Sequence, residues 1–410
     1  VAEVMSSPLV TVAAAQTVFE ALLDMTRRGI HHLPVLGPGG RLVGVVSSHD
    51  ILLAHGAHPV AVGRQIEQQR TEAGLAESAP RIEGVVRWLA GAGAGALEIG
   101  GVVAELNDRV VARALDLAVD GAVREGAGRP PVPFSWLAAG SEGRREQTLK
   151  TDQDNGLVYE DPADGAPAVA RYFEGLAHRM AGILERVGFP RCPGGYMAAN
   201  PAWCQPASAW RRRFEGWMAV PRPEGLLDAS TFCDLRPVGG DAAVGRRLWE
   251  WVCERVPGER LFLGHMALAA LERHVPLGFF GGFVVERSGL HRGAFDIKAR
   301  GVFPFTQAMR VYALSLGCRD TNSVDRLAAA ESAGIFTPGE ARDLREAHEI
   351  IARLRLAHQL ARIDAGQAPD NFVVPEALGK GDRLLLRQAF RTVAWLQRHL
   401  EDRFQTSLLA

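Results

Sequence analysis

The sequence predicts a multidomain protein, with α/β segments first and an all-helical segment last. Three observations predict it. The chain has 410 residues, too many for one core at roughly 150 residues per domain. Short β-forming runs punctuated by Gly- and Pro-rich turns lie in its first part, whereas 3.6-residue apolar spacing dominates after residue 260. The composition, 47% hydrophobic and 23% charged, is that of folded domains and excludes wholesale disorder. The formal net charge of -1 lacks the basic excess of a nucleic-acid binder, so no nucleic-acid partner is expected. The 5 cysteines contain no CxxC pair, which argues against a zinc site or disulfide framework and predicts reduced thiols in a cytoplasmic protein. No apolar run reaches about 18 residues, so no membrane association is expected.

Residues 1–55 read as strand, helix, strand, strand, helix. Val10, Thr11 and Val12 form β structure. Thr17 caps a helix whose apolar positions are Val18, Phe19, Leu22, Leu23 and Met25, and Gly29 ends it. His32–Leu36 and Leu42–Ser47 are strands around the turn Gly37–Gly40, and Ser47-Ser48-His49-Asp50 opens another helix.

This order resembles a single repeat of a CBS domain, the module named after cystathionine β-synthase. The resemblance rests on Val4-Met5-Ser6, Thr11-Val12, Ala21–Met25, the HLPV run at 32–35 and LVGVVSSHDIL at 42–52. It implies that Ser47 and Asp50 hold the ribose of an adenosine nucleotide, although helix capping accounts for both residues equally well. Such repeats work in pairs and no second copy follows. The expectation is therefore a longer protein, or a homodimer formed through the CBS repeat and the linker helix.

Residues 56–130 read as a helical linker. A polar helix carries Gln65, Gln68, Gln69 and Glu72, and Gly91–Gly95 interrupts it. Leu106, Val110, Ala114, Leu117 and Ala118 then form an apolar stripe that calls for a neighbouring domain or subunit. The stiff GAGRPPVP run at 126–133 predicts a boundary.

Residues 131–260 carry the candidate chemistry. A strand at 134–139 runs into Gly140-Ser141, a second holds Asp152 and Asp154, and a third is predicted over Thr231–Arg236 with Asp234. Carboxylates two apart on a strand share a face and repel unless a cation lies between them. Mg²⁺ binds to a few carboxylates, waters and phosphate oxygens, and a third carboxylate would complete a two-metal site. Gly140 and Ser141 can approach and donate to a triphosphate, and Arg144 and Arg145 can pair with its oxygens.

The GS, ten residues, D-x-D pattern resembles the nucleotidyltransferase fold of the DNA polymerase β superfamily. The fuller string GSEGRREQTLKTDQDNGLVY at 140–159 is similar to nucleotidyltransferases related to the PII-protein uridylyltransferase and the glutamine-synthetase adenylyltransferase. CPGGYMAANPAWC at 192–204 and FCDLRPVGGD at 232–241 extend the match. The resemblance implies a polymerase-β-like mixed sheet, two Mg²⁺ ions on Asp152, Asp154 and Asp234, and activation of an acceptor hydroxyl by Asp234. Arg236 is open to a structural role beside a carboxylate. The CPGG loop with Asn200 either lines the cleft or only makes a turn.

Residues 261–410 read as a helical bundle. Leu344, Ala347, Ile351, Leu354 and Ala357-His358 have helical spacing, as do Leu384, Leu385, Phe390, Val393, Leu396 and Leu400. LGFFGGFVVE at 277–286, FDIKARGVFPFTQAMRVYAL at 295–314, LRLAHQ at 354–359 and PDNFV at 369–373 resemble the substrate-binding domain that follows the catalytic domain in the same family. Asp296 and Lys298 are expected on one face of an extended stretch. Lys298 and Arg310 either neutralise nucleotide phosphate or form buried ion pairs at a domain interface. His348 and His358 are expected as core or surface histidines.

Together these features predict a signal-transduction nucleotidyltransferase. It would move UMP or AMP from a nucleoside triphosphate to an acceptor hydroxyl, which the resemblance to the uridylyltransferase relatives implies is on a protein side chain. A non-catalytic adenine-nucleotide sensor and a small-molecule nucleotidyltransferase are the alternatives.

Overall fold

The computed structural model describes residues 9–47, 59–149 and 152–409. Asp50, one half of the expected ribose site, lies outside them, as do Val4-Met5-Ser6. The N-terminal segment is a three-stranded sheet of β1 (Val12–Ala13), β2 (His32–Leu36) and β3 (Leu42–Ser47), with α1 (Val18–Arg28) between β1 and β2. β1 pairs parallel to β2 and β2 antiparallel to β3. α1 starts where expected, because Thr17 and Glu20 form a reciprocal capping box. It ends at Gly29, whose φ of 64° suits glycine. Val12, Ala21, Met25, Leu33 and Val60 form its small core.

Four helices follow: α2 (Pro59–Gln68), α3 (Glu72–Ser78), α4 (Arg81–Gly91) and α5 (Ala96–Arg124). The predicted stripe on α5 is buried: Leu106, Val110, Ala114 and Ala118 are fully enclosed. Its partner is the central sheet, since these residues share one core with Trp136, Leu157 and Phe173. The GAGRPPVP break therefore does not separate two cores. The 29-residue helix α5 is a wall of the central domain, and Leu22 of α1 joins the same core.

The central sheet has the order β6-β5-β4-β7. It is built from β4 (Phe134–Ala138), β5 (Asn155–Tyr159), β6 (Cys204–Pro206) and β7 (Arg236–Gly240). β4 is antiparallel to both β5 and β7, and β5 is parallel to β6, so the sheet is mixed. Strand alternation divides its side chains between two cores. Phe134, Trp136, Leu157 and Tyr159 face α5 and α7 (Ala166–Val187). Leu137, Ala139 and Val158 face the opposite layer. That layer contains α8 (Ala207–Ala219), α9 (Pro223–Phe232), α10 (Ala242–Arg255) and α11 (Arg260–Leu271). A one-turn helix, α6 (Gly140–Gly143), leads out of β4.

The third predicted strand is corrected here. Residues through Phe232 belong to α9, Asp234 lies in the turn, and β7 begins at Arg236. Pro223 opens the helix at its first turn, and burial of Leu226, Ala229 and Phe232 at helical spacing outweighs the β-forming Thr231-Phe232-Cys233 run.

The C-terminal region contains α12 (Phe303–Ser315), α13 (Ser323–Ser332), α14 (Pro338–Asp364) and α15 (Lys380–Phe404), with a small pair of β8 (Phe295–Asp296) and β9 (Phe372–Val373). Leu386, Phe390, Val393, Leu396 and Leu400 form the buried face of α15. Leu384 and Leu385, expected on this face, are both exposed, because the face runs through Leu386 instead. The extended stretch also ends earlier than predicted. β8 stops at Asp296, and Lys298–Val302 is a π-helical turn in which Gly301 packs closely on Ile351 and Phe390.

Candidate active site

Asp152 and Asp154 precede β5 and flank Gln153, which turns inward. Gln153 is 2% exposed, and its Nε2 donates to the carbonyls of Ala181 and Phe189 at 3.2 and 2.8 Å. The bridge between Gln153 and Arg191 fixes the segment. Asp152 is left exposed and Asp154 half-buried, as the period of two predicts.

Gly140 abuts this pair. Its φ is 55°, and a Cβ there would lie 2.8 Å from Asp154 Oδ2. Both the left-handed backbone and the close approach require glycine. The amide of Ala139 donates to Asp154 O at 2.9 Å, which ties the turn to the carboxylate segment. Ser141 follows, also half-buried.

Burial pushes the Asp154 carboxyl above its usual range, and Asp152 adds to that rise. The Cys192 thiol, which donates to Asp154, and Lys298 pull it back. Lys298 is itself pushed down, first by burial and then by Arg355, while Asp154 and Asp152 oppose the shift. A carboxylate pair, a glycine turn, a thiol and an exposed ammonium thus converge. Cys192 and Tyr196 bring the CPGG loop to Asp154, and the Tyr196 hydroxyl donates to Asp228. Asn200 instead stays within its own loop, accepting from Ala202 N at 3.0 Å and donating to Gly195 O. Cys192 and Asp228 were not singled out as site residues. The only signal for Cys192 was its place in CPGG, and nothing in the sequence marks the approach of α9.

Asp234 does not join the pair as a metal ligand. It is 0% exposed. Its Oδ1 accepts from Arg310 Nε at 3.0 Å and Arg326 Nη1 at 2.7 Å, and its Oδ2 from Arg144 Nη1 at 2.6 Å and from Arg310 Nη2. Burial would raise this carboxyl, but Arg310, Arg326 and Arg144 together hold it far below the carboxylate range. Both oxygens are occupied by guanidinium groups, which leaves none for a cation. Arg310 comes from α12 and Arg326 from α13, so this cluster fastens the C-terminal helices to the central sheet. Among the described residues, no group of three or more His, Cys, Asp or Glu forms a metal cluster.

Arg144 and Arg145 are likewise paired with carboxylates. Arg144 also bonds Glu146 at 2.8 Å. Arg145, with a left-handed φ of 60°, bonds Glu105 at 2.8 Å and Asp108 at 3.3 Å on α5. Arg236 has the structural role left open above, a two-pronged pair with Asp108 at 2.7 and 2.8 Å. For Arg310 the buried ion-pair alternative is realised, whereas Lys298 faces the carboxylates.

Three family models match the chain. Residues 1–56 match "CBS domain", residues 80–224 match "Putative nucleotidyltransferase DUF294", and residues 260–404 match "Putative nucleotidyltransferase substrate binding domain". The chain carries these three domains in that order. Together they indicate a nucleotidyltransferase-like function. No curated protein matches the chain. The nucleotidyltransferase match begins at residue 80, and so includes α4 and α5, in keeping with the burial of the α5 stripe against the sheet.

Glu142, in the nucleotidyltransferase domain, gives a pH test. Burial, assisted by Asp108 and Asp154 and opposed by Arg236, pushes its carboxyl up to about 8. The folded state therefore holds a proton that the unfolded state releases near pH 4.5. Stability from this group is present below that pH and declines as pH rises toward about 8, by at most about 1.4 kcal/mol per pH unit. Glu142→Gln is expected to flatten the fall in Tm between pH 5 and 8 (~3 units of pH), measured by thermal melts in parallel buffers.

Proposed function

We propose that this chain transfers a nucleoside monophosphate, UMP or AMP, from a nucleoside triphosphate to a hydroxyl group on a protein, as part of signal transduction. The observation that carries the reading is the Asp152–Asp154 pair beside the Gly140 turn, facing Lys298. The donor set suits Mg²⁺, which binds to one or two carboxylates and completes its shell with waters and phosphate oxygens. Asp152 and Asp154 would hold it, without Asp234. When bound, Mg²⁺ would offset charge on the triphosphate.

The chain's own groups do the rest. Gly140 lets the backbone approach phosphate, and Ser141 can donate to it. Lys298 supplies positive charge beside the carboxylates. The acceptor oxygen bonds to the α-phosphorus, the bond from that phosphorus to the bridging oxygen breaks, and pyrophosphate leaves with the electron pair. The acceptor proton passes to solvent or base.

The N-terminal domain is proposed as the adenine-nucleotide-responsive part, with Ser47 and Asp50 at its ligand. Leu42, Val43 and Val45 of β3 are more than half exposed, which supports pairing with the same segment of a second subunit. The described cysteines are all free thiols, as a cytoplasmic protein would keep them. No described helix is long and apolar enough to cross a membrane.

Incubation with UTP or ATP labelled at the α-phosphate, Mg²⁺ and a native lysate should label a protein band. Label confined to small molecules would reject the protein acceptor. Lys298→Gln is expected to raise KM for the triphosphate by roughly tenfold, the loss of one charge-assisted contact, with Tm unchanged because the side chain is exposed. Initial rates against triphosphate concentration measure this.

A further inference from the structure

The carbonyl end of the one-turn helix α6 is held from outside the helix. A helix this short leaves its last carbonyls without partners of its own. Glu142 O accepts from Arg236 Nη2 at 3.0 Å, and Gly143 O from Arg236 Nε at 3.2 Å. Two further donors come from the loop at 316–322, between α12 and α13. Thr321 Oγ1 donates to Gly143 O at 2.7 Å, and Asn322 Nδ2 to Arg144 O at 2.9 Å. The amide of Ser323 then donates to Glu146 Oε1 at 2.7 Å. These three bonds span 177 or 178 residues of sequence.

We propose that Thr321 and Asn322 are positioning residues for the triphosphate, a role that rests on the reading of Gly140 and Ser141 as the phosphate-binding turn. Through their hydrogen bonds to its carbonyls, the C-terminal domain sets where that turn stands.

The turn has little slack. A Cβ on Gly143 would meet Asp234 O at 2.0 Å and Ala138 O at 3.0 Å. Arg145 follows with its left-handed φ of 60°, held by Glu105 and Asp108. A non-glycine residue keeps such a backbone only where its surroundings over-determine it. Gly143 N donates to Ala139 O at 2.9 Å, and Arg144 N to Gly140 O at 3.1 Å. A shift at the carbonyl end is therefore passed to Gly140 and Ser141, where Gly140 abuts Asp154. Groups that hold a reacting phosphate tolerate only about 0.5 Å of misplacement.

The loop has a fixed place of its own. Trp249 Nε1 of α10 donates to Arg319 O at 2.7 Å. Arg326 Nε donates to Asp320 O at 2.8 Å, while its Nη1 pairs with Asp234. Asn322 has two separable duties. Its Oδ1 caps α13, accepting from Val324 N at 2.9 Å and Asp325 N at 3.4 Å. Capping uses only that acceptor, and aspartate caps as well as asparagine. The Nδ2 donor serves the α6 turn.

The test compares the full chain with Thr321→Val/Asn322→Asp. Valine keeps the shape of threonine without the hydroxyl, and aspartate keeps the cap without the donor. Hydrogen-exchange mass spectrometry reads the amides of residues 139–146, and calorimetry reads the Kd of ATP and of UTP with Mg²⁺. In the double variant these amides should exchange roughly tenfold faster, and the Kd of the triphosphate that binds should rise roughly tenfold, as loss of neutral hydrogen bonds predicts. The amides of α13 should exchange as in the parent. Thr321→Ser, which keeps the hydroxyl, should match the parent in both readouts. Unchanged exchange across 139–146 would overturn the positioning role and leave the phosphate-binding turn standing. Equally faster exchange in α13 would reduce the two bonds to a folding contact and overturn the role as well. Faster exchange at 139–146 alone with an unchanged Kd would overturn both the role and the phosphate-binding turn, as would a parent that binds neither ATP nor UTP.

Discussion

Asp234→Ala is expected to cost the fold about 3–5 kcal/mol or more, the range for removing one partner from a buried ion pair. The substitution strands three guanidinium groups. Arg326 and Arg310 are 0% and 1% exposed, and Arg144 is 9% exposed. Other contacts persist: Arg326 donates to Cys233 O at 2.9 Å and Asp320 O at 2.8 Å, and Arg144 to Glu146. They leave an excess of buried positive charge, with Glu146 the one remaining carboxylate on this group in the described contacts. The expected outcome is an early, broad loss of structure in urea, starting between the central sheet and α12–α13. Asp234→Asn keeps the shape and one acceptor, and should lose less. Urea melts of the two variants beside the parent check the order.

Asp152→Asn/Asp154→Asn should have the opposite signature. Asp152 is exposed and Asp154 pays for burial with a raised carboxyl pKa. Neutralising both removes a repulsion, so Tm should hold or rise by a degree or two, as roughly 0.5 kcal/mol would produce. Transfer should fall by at least about 10³-fold, because the cation and the triphosphate lose their anchor. Initial rates of pyrophosphate release, with Mg²⁺ varied, measure the loss. A rate restored by excess Mg²⁺ would place the anchor elsewhere.

The contrast between these variants marks what was legible in the sequence. Local signals were reliable where local physics decides. Thr17 and Gly29 bound α1 as capping rules require. The alternation of Asp152, Gln153 and Asp154 places the two carboxylates opposite a buried glutamine. The glycine of the GS turn has the left-handed backbone that makes room for Asp154. The role of Asp234 was not legible, because its partners stand 76 and 92 residues away on other helices. Sequence spacing carries no information about which charges meet at such a distance. The partners of Arg144 and Arg145 were not legible for the same reason: Asp234, Glu105 and Asp108 stand 90, 40 and 37 residues away. The α5 stripe was recognised, but its partner was not, since periodicity defines a face and not what covers it.

The central claim is that Asp152 and Asp154, and not Asp234, anchor the reacting triphosphate. The most direct measurement is pyrophosphate release and Tm on the same preparations of Asp154→Asn and Asp234→Asn. The account predicts that Asp154→Asn is inactive at the parent's Tm, and that Asp234→Asn melts earlier but still turns over at temperatures where it is folded. An Asp234→Asn variant with the parent's Tm and no turnover would contradict it.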